Sequence, residues 1–330
     1  MKNDQLHDSI RQKISNAKNI VIVSHIRPDG DAVGSVLGLG LALQATGKNV
    51  QMVLADGVPS SFHHLKGYHQ IARKPKGEYD LLIVVDCSDL LRVGTVIKDR
   101  TPDINIDHHI TNQNFAIINY VDASAPATTA ILAANLSIWG LPITQPIAAA
   151  LLSGLISDTL GFRTTNVTPD SLRLAADLME HGANLSELYM QALINRSFES
   201  ARYWGYGLEK LQRKDGIVWT SLALEDRSKA TYPGNDDADL VNTLSTIEDA
   251  DIALIFVEQR EGKVKISWRA RPGLDVSQIA LAFGGGGHPA AAGAEVTGTL
   301  EEVQERVLLS TQAALKTSTS QATYENLSVK

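Results

Sequence analysis

The stretch Asp80-Leu81-Leu82-Ile83-Val84-Val85 decides the fold class. Five apolar residues in succession, with no polar alternation, make a strand buried on both faces, and such strands belong inside parallel sheets layered by helices. Working outward, similar runs recur at Asn19 to Ser24, Val50 to Leu54 and, shorter, Ile104 to Ile106. Between and after them, Ala32 to Thr46, Pro126 to Trp139 and Pro146 to Ile156 carry helical patterns. Strands alternating with helices make the first half an α/β domain with a parallel sheet. Its ligands are then expected beyond the carboxyl ends of the strands. His25, Asp86 and Asp107 all fall at such ends.

The second half changes character. Thr168-Pro169-Asp170 starts a helix with a cap and a first-turn proline, and a further helix is predicted from Leu185 to about Ala201. Leu208 to Thr220, Ile252 to Glu258 and Lys263 to Trp268 read as strands, with a helical stretch over Ala238 to Ile247 and a closing helix over Glu301 to Ala314. The expected division is a first domain over 1–185, a connector helix over 186–204, a smaller mixed α+β domain over 205–314 and a disordered polar tail over 315–330.

Composition sets the outer limits. The 330 residues are 44% hydrophobic and 20% charged, which is globular and not disordered. One cysteine, Cys87, precludes an internal disulfide framework and fits a reducing, cytoplasmic setting. No apolar run is long enough to span a membrane, and the N-terminus lacks the core of a signal peptide. A net charge of −7 argues against a protein that coats long duplex nucleic acid, while leaving room for a small phosphorylated ligand.

Metal-binding residue types gather where the strands end. His25-Ile26-Arg27-Pro28-Asp29-Gly30-Asp31 places three donors in one loop, Asp86 follows the central strand, Asp107-His108-His109 follows another, and Asp158 closes an apolar helix. Converging carboxylates repel one another and raise their own pKa values unless cations intervene. Any one of these aspartates could merely cap a helix; the four clusters sharing one sheet edge is what points to a metal site. Oxygen donors mixed with imidazole favour Mn²⁺, Fe²⁺, Co²⁺ or Zn²⁺ over structural zinc. Five or six donors exceed the needs of one ion, which suggests two ions roughly 3.5–4 Å apart with a bridging hydroxide as nucleophile.

A second concentration lies near the C-terminal end. Gly284-Gly285-Gly286-Gly287-His288 costs conformational entropy at each glycine, so special dihedral angles or a close approach are implied. Such a loop can present backbone N–H groups to an anion, and Ala290-Ala291-Ala292-Gly293 is expected to begin a small-residue helix whose N-terminus favours phosphate. Just upstream, strand alternation puts Arg269 and Arg271 on one side as a phosphate clamp, with Trp268 packed into the core on the other. A solvent-facing charge is the plainer reading of Arg271.

Five segments, HIRPDGDAVGS, VVDCSD, IDHH, GLISDT and FGGGGHPAAAG, resemble in order the motifs of the DHH phosphoesterase family and its DHHA1 domain. The resemblance covers roughly residues 15–310, and the size is similar to the nanoRNase branch, the bifunctional oligoribonucleases and PAP phosphatases. It implies a Rossmann-like DHH domain, a DHHA1 domain and an active-site cleft between them. By the same resemblance His25 and Asp29 hold one metal, Asp31, His108 and Asp158 the other, and Asp86 bridges both. His109 then contacts the scissile phosphate, and Asp107 orients the neighbouring imidazoles. Ser267, Arg269, Arg271, Gly285, Gly286, Gly287 and His288 are implied to bind substrate, with Arg27 and Asp89 as weaker candidates. Related chains often carry serine where this one has Ala270.

The expectation that follows is a Mn²⁺-dependent hydrolase with two divalent ions, Mg²⁺, Co²⁺, Fe²⁺ or Zn²⁺ being the alternatives. Its substrates would be short single-stranded RNA of about 2–5 nucleotides and 3′-phosphoadenosine 5′-phosphate (pAp), since an extended basic track for long chains is missing. Hydrolysis of cyclic or linear dinucleotides (c-di-AMP, pApA, pGpG) is the alternative; inorganic pyrophosphatase and a non-catalytic nucleotide sensor stand behind it. A homodimer accords with base rates for soluble proteins.

Overall fold

The computed structural model describes the backbone of residues 2–97 and 100–328 and the side chains of residues 4–97 and 100–316. The chain divides into two compact units between Asn195 and Arg196. Among the described residues no helix is long and apolar enough to cross a membrane.

The first unit runs α1 (Lys2–Asn16), β1 (Asn19–Val23), α2 (Gly30–Ala45), β2 (Asn49–Val53), β3 (Leu81–Val85), β4 (Ile104–Asp107), β5 (Ile118–Val121), α3 (Thr128–Asn135), α4 (Gln145–Asp158), α5 (Pro169–Glu180) and α6 (Leu185–Tyr189). Its five strands are all parallel, in the order β2-β1-β3-β4-β5. Every residue of β3 is buried, as its unbroken apolar run requires. Leu81, Ile83 and Val85 join the core beneath α2, α3 and α4, while Leu82 and Val84 pack on the opposite face with Val21, Val23 and Cys87. The strand order reverses between β1 and β3, and a crevice forms at such a switch point because successive helices leave on opposite faces. Val23 pairs with Val84, so the chain leaves β1 and β3 side by side, immediately before His25 and Asp86.

Helix α2 crosses α4 at very short range. A Cβ on Gly34 would lie 2.6 Å from the Ala150 carbonyl oxygen, and one on Gly30 would collide with the Ser157 side chain. Glycine lets the backbones touch, which brings the start of α2, with Asp29 and Asp31, next to the end of α4, with Asp158.

The second unit runs α7 (Phe198–Glu209), β6 (Gln212–Lys214), β7 (Ile217–Leu222), α8 (Leu224–Ala230), α9 (Leu240–Leu244), β8 (Ile252–Gln259), β9 (Lys263–Ala270), α10 (Ser277–Ala282), β10 (Gly286–His288), β11 (Ala291–Thr297) and α11 (Leu300–Ser328). Its six-stranded mixed sheet has the order β10-β11-β9-β8-β7-β6, with only β7 and β8 parallel. Leu254 and Phe256 of β8 face one apolar cluster with the buried Trp268; Ala253, Ile255 and Val257 face another with Tyr203 and Leu244.

Three local expectations are corrected. The segment Ala290 to Gly293 does not begin a helix: Ala291–Thr297 is strand β11, paired with β9 from Ala291↔Arg269 to Thr297↔Lys263. Alanine's helix preference is overridden because the segment completes a sheet. Between Leu185 and Ala201 the helix breaks: α6 passes into a π-turn over Met190–Ile194, Asn195 is extended, and Ser197 caps a new helix through the Ser200 amide. Leu208 belongs to α7, so strand structure starts only at Gln212. In the tail, α11 carries the backbone to Ser328, while the side chains beyond Lys316 lie outside the described residues.

Candidate metal centre

Each donor reaches the switch-point crevice for a local reason. Asp29 caps α2, its Oδ1 accepting the Asp31 and Ala32 N–H groups at 3.1 and 3.0 Å, which leaves Oδ2 to face His25 Nε2 at 3.8 Å. The capping role and the site role therefore coexist in one carboxylate. Asp86 sits just past β3 in the left-handed region (φ 52°), a conformation a non-glycine residue adopts at some cost. Its Oδ2 lies 3.5 Å from His25 Nε2, and its Oδ1 lies 3.8 Å from both His108 Nε2 and His109 Nδ1. His108 Nε2 also faces Asp31 Oδ2 at 3.9 Å and Asp158 Oδ2 at 3.6 Å. His25–Asp29–Asp86 and Asp31–Asp86–His108 form two donor groups that share Asp86, which also groups with Asp107 and His109. Asp158 adjoins the second group through His108.

Asp107, fully buried, accepts a hydrogen bond from His109 Nδ1 at 2.7 Å and another from Asn112 Nδ2 at 2.5 Å. It therefore orients His109. His108 is held differently, by its Nδ1 against the Ala125 carbonyl at 3.3 Å.

The electrostatics ask for positive charge. Burial and the neighbouring Asp86 push Asp31 up to about 7, against the pull of His108 and Thr129. Asp158 is raised well above the ordinary carboxylate range by burial and by Asp31, Asp29 and Asp86. Burial alone would raise Asp86 too, but His25, His109 and His108 outweigh it and hold the group below its usual value. The three imidazoles, which burial would deprotonate, are instead raised by the carboxylates around them. Cations would relieve this crowding. The donor set fits them: His25 and His108 each turn Nδ1 to a backbone carbonyl, and that bond leaves Nε2 as the nitrogen that would ligate, on the carboxylate side. Nε2–oxygen separations of 3.5–3.9 Å are longer than ordinary hydrogen bonds.

Thr128 and Thr129, at the start of α3, were not among the sequence candidates. The Thr128 and Thr129 amides donate to the two oxygens of Asp31 at 2.6 and 2.9 Å, and Thr129 Oγ1 donates to Oδ1 at 2.6 Å. Thr128 Oγ1 donates to Asp86 Oδ1 at 3.0 Å. One helix start thus aims two of the four clustered carboxylates, and the macrodipole supports it. The signal available in sequence was a pair of hydroxyl residues opening an apolar helix, a pattern shared with many ordinary caps.

Of the weaker candidates, Arg27 is exposed with φ 55°, its amide bonded to Asp56, and Asp89 accepts the Arg92 amide within its own turn.

In the second unit, the β10-β11-β9 ladder aligns His288 with Ala291 and Ala291 with Arg269, and places Ser267 opposite Gly293. Arg269 donates from Nε to Asn242 Oδ1 at 2.8 Å and from Nη1 to the Trp268 carbonyl at 2.9 Å. Arg271 lies beyond the strand end, exposed, with Nη2 3.4 Å from the Ile247 carbonyl. The glycine run has a packing reason of its own. A Cβ on Gly285 would overlap the Gly293 carbonyl, and one on Gly287 (φ 143°) would lie 2.5 Å from that of Ala291. Gly286 meets no such obstacle.

Residues 19–155 match the DHH family N-terminal domain, and residues 229–316 match the DHHA1 domain. The chain belongs to the DHH family. It is 36% identical over 295 residues to the bifunctional oligoribonuclease and PAP phosphatase NrnA of Thermus thermophilus, covering 88% of each chain. It is 25% identical to the protein of the same description from Bacillus subtilis, covering 86% of this chain and 91% of that one. Among solved structures, an exopolyphosphatase-related protein from Bacteroides fragilis superposes with a TM-score of 0.86 at 25% identity, over 95% of this chain and 96% of that chain. The DHH match contains every donor named above except Asp158, and the DHHA1 match contains Ser267, Arg269, Arg271 and the glycine run.

Proposed function

We propose that this chain is a phosphoesterase that uses two divalent cations to hydrolyse short oligoribonucleotides to mononucleotides and pAp to AMP. The observation that supports it most is Asp86, whose two oxygens belong to two separate donor groups. His25, Asp29 and Asp86 would hold one cation; Asp31, Asp86, His108 and Asp158 would hold the other. Mn²⁺ suits this mixture of oxygen and imidazole donors, as Mg²⁺, Co²⁺, Fe²⁺ or Zn²⁺ do to differing degrees. Bound there, divalent cations supply positive charge for phosphoryl transfer and make water acidic enough to furnish a nucleophile near neutral pH. His109 does the chain's own proton work: Asp107 anchors Nδ1, so the ring acts through Nε2 on the departing oxygen. Asp107 thereby positions His109 and stabilises its charged form. Ser267, Arg269, Arg271, the Gly285, Gly286 and Gly287 backbone and His288 bind a second phosphate of the substrate.

Two binding elements of limited extent suit a ligand with few phosphates, and a net charge of −7 suits short RNA over long duplexes. The relatives' names describe the same pair of substrates. We assign residues 1–185 as the catalytic domain, 186–204 as connector and 205–314 as the substrate-binding domain. The enzyme works in the cytoplasm, and a homodimer is the assembly it would form.

The test is a product-resolved assay with Mn²⁺ on pAp, RNAs of graded length, linear and cyclic dinucleotides and pyrophosphate, with Asp86→Asn alongside. Asparagine tolerates the left-handed backbone at this position. A loss of more than about 100-fold is expected, because groups merely supporting a metal ligand already cost 10–100-fold. Turnover confined to cyclic dinucleotides, or to pyrophosphate, would overturn the substrate assignment.

A further inference from the structure

The turn after Asp86 carries a cation that the preceding assignments leave unused. Asp89 Oδ1 accepts the Arg92 N–H at 3.0 Å, and the Arg92 carbonyl accepts the Ile26 N–H at 2.7 Å. Gly94 (φ 74°) closes the turn, and a Cβ there would lie 2.9 Å from Ile26 Cγ2. The Arg92 backbone is thus stapled to the loop that supplies His25 and Asp29. Its guanidinium is half-buried and makes no hydrogen bond or ion pair with any described residue. Arg27, on the neighbouring loop, is exposed instead. Besides burial and the Asp86 and Asp29 carboxylates, the Arg92 charge also acts on His25, which puts the guanidinium within electrostatic reach of the centre.

A half-buried cation without a partner is costly unless an anion completes it. The clustered carboxylates make no ion pair with it and face the imidazoles instead. Once those carboxylates hold cations, the negative charge offered to Arg92 is the substrate's.

We propose that Arg92 binds a non-bridging oxygen of a substrate phosphate, as the first unit's own phosphate-gripping side chain. The inference rests on the phosphoesterase reading above and adds a binding residue to it. A planar guanidinium can engage two phosphate oxygens at once, which a lysine ammonium cannot reproduce.

The experiment uses the full chain with Arg92→Gln, Arg92→Lys and Arg92→Ala. Steady-state kinetics on pAp with Mn²⁺ are paired with calorimetric binding of pAp in Ca²⁺, and melting temperature and Mn²⁺ affinity are measured on each variant. Arg92→Gln is expected to lose about 10- to 100-fold in kcat/KM and in pAp affinity, the size of one charge-assisted hydrogen bond. Arg92→Lys should keep part of that, and free guanidinium ion should restore part of the Arg92→Ala activity. Melting temperature and Mn²⁺ affinity should stay at wild-type values. Kinetics and binding within twofold of wild type for Arg92→Gln would overturn the proposal. So would a loss matched by a fall in melting temperature or Mn²⁺ affinity, which would mark a structural role. If the wild type binds pAp without hydrolysing it, the phosphoesterase reading fails, and weaker binding by Arg92→Gln still supports the contact. A wild type that does not bind pAp overturns both.

Discussion

Replacing Thr128 by valine removes one hydroxyl and almost no volume from a fully buried position. Thr128 and Asp86 are 0% and 1% accessible, and Thr128 Oγ1 donates to Asp86 Oδ1 at 3.0 Å. The Thr128 amide keeps its bond to Asp31, so the change falls on the shared carboxylate alone. A hydrogen bond to a charged acceptor contributes about 1.5–3 kcal/mol. At about 1.4 kcal/mol per decade that corresponds to roughly 10- to 100-fold, the range also typical of groups that orient metal ligands. Thr128→Val should therefore bind Mn²⁺ about 10- to 100-fold more weakly, measured by titration calorimetry or by the free Mn²⁺ signal in electron paramagnetic resonance. Because excess Mn²⁺ refills the site, much of the lost activity should return at high metal concentration. A double-mutant cycle with Asp86→Asn separates orientation from general damage: the second substitution should add little if both act through one carboxylate. A folded Thr128→Val protein that takes up Mn²⁺ with wild-type affinity would refute the view that α3 aims Asp86.

Two further changes probe the scaffold. Gly34→Ala forces a Cβ to within 2.6 Å of the Ala150 carbonyl, so α2 and α4 must separate. A loss of about 1–3 kcal/mol is expected, with weaker Mn²⁺ uptake because Asp31 and Asp158 ride on those helices; an unchanged melting temperature would contradict the close crossing. Burial opposes ionisation of Asp103, but the Leu82 amide at 3.0 Å, Lys13 at 3.1 Å and Arg100 at 2.8 Å outweigh it and hold the carboxyl below its ordinary value. A depressed pKa stabilises the fold above the unfolded value of about 3.9, and that contribution fades as pH falls through the lower folded value. Asp103→Asn should thus cost about 1–3 kcal/mol in urea unfolding at pH 7 and progressively less below pH of about 4. An equal gap at pH 7 and pH 3 would count against it.

The strands and donors of the first unit were legible because both are local signals. An apolar run such as DLLIVV has one stable environment, and a histidine or aspartate right after it lands on the ligand edge of the sheet whatever the rest of the chain does. The glycine loop was legible as something special, but its physical cause was not: Gly285 and Gly287 are needed where the loop and β10 press against the β11 backbone. The alanines that follow carry a helical propensity that pairing with β9 overrides, since sheet hydrogen bonds come from a partner strand distant in sequence.

By itself the sequence determined which residues could ligate, which ends of which strands they occupy, and the family pattern they compose. Only the tertiary structure decided that Asp86 is shared between donor groups, that Asp107 orients His109 while a backbone carbonyl holds His108, and that Thr128 and Thr129 hold Asp31 and Asp86. The reason is distance along the chain. The Thr128 amide reaches Asp31 across 97 residues, and nothing in either segment alone records that meeting, which follows from the strand-order reversal and the glycine-lined crossing of α2 and α4.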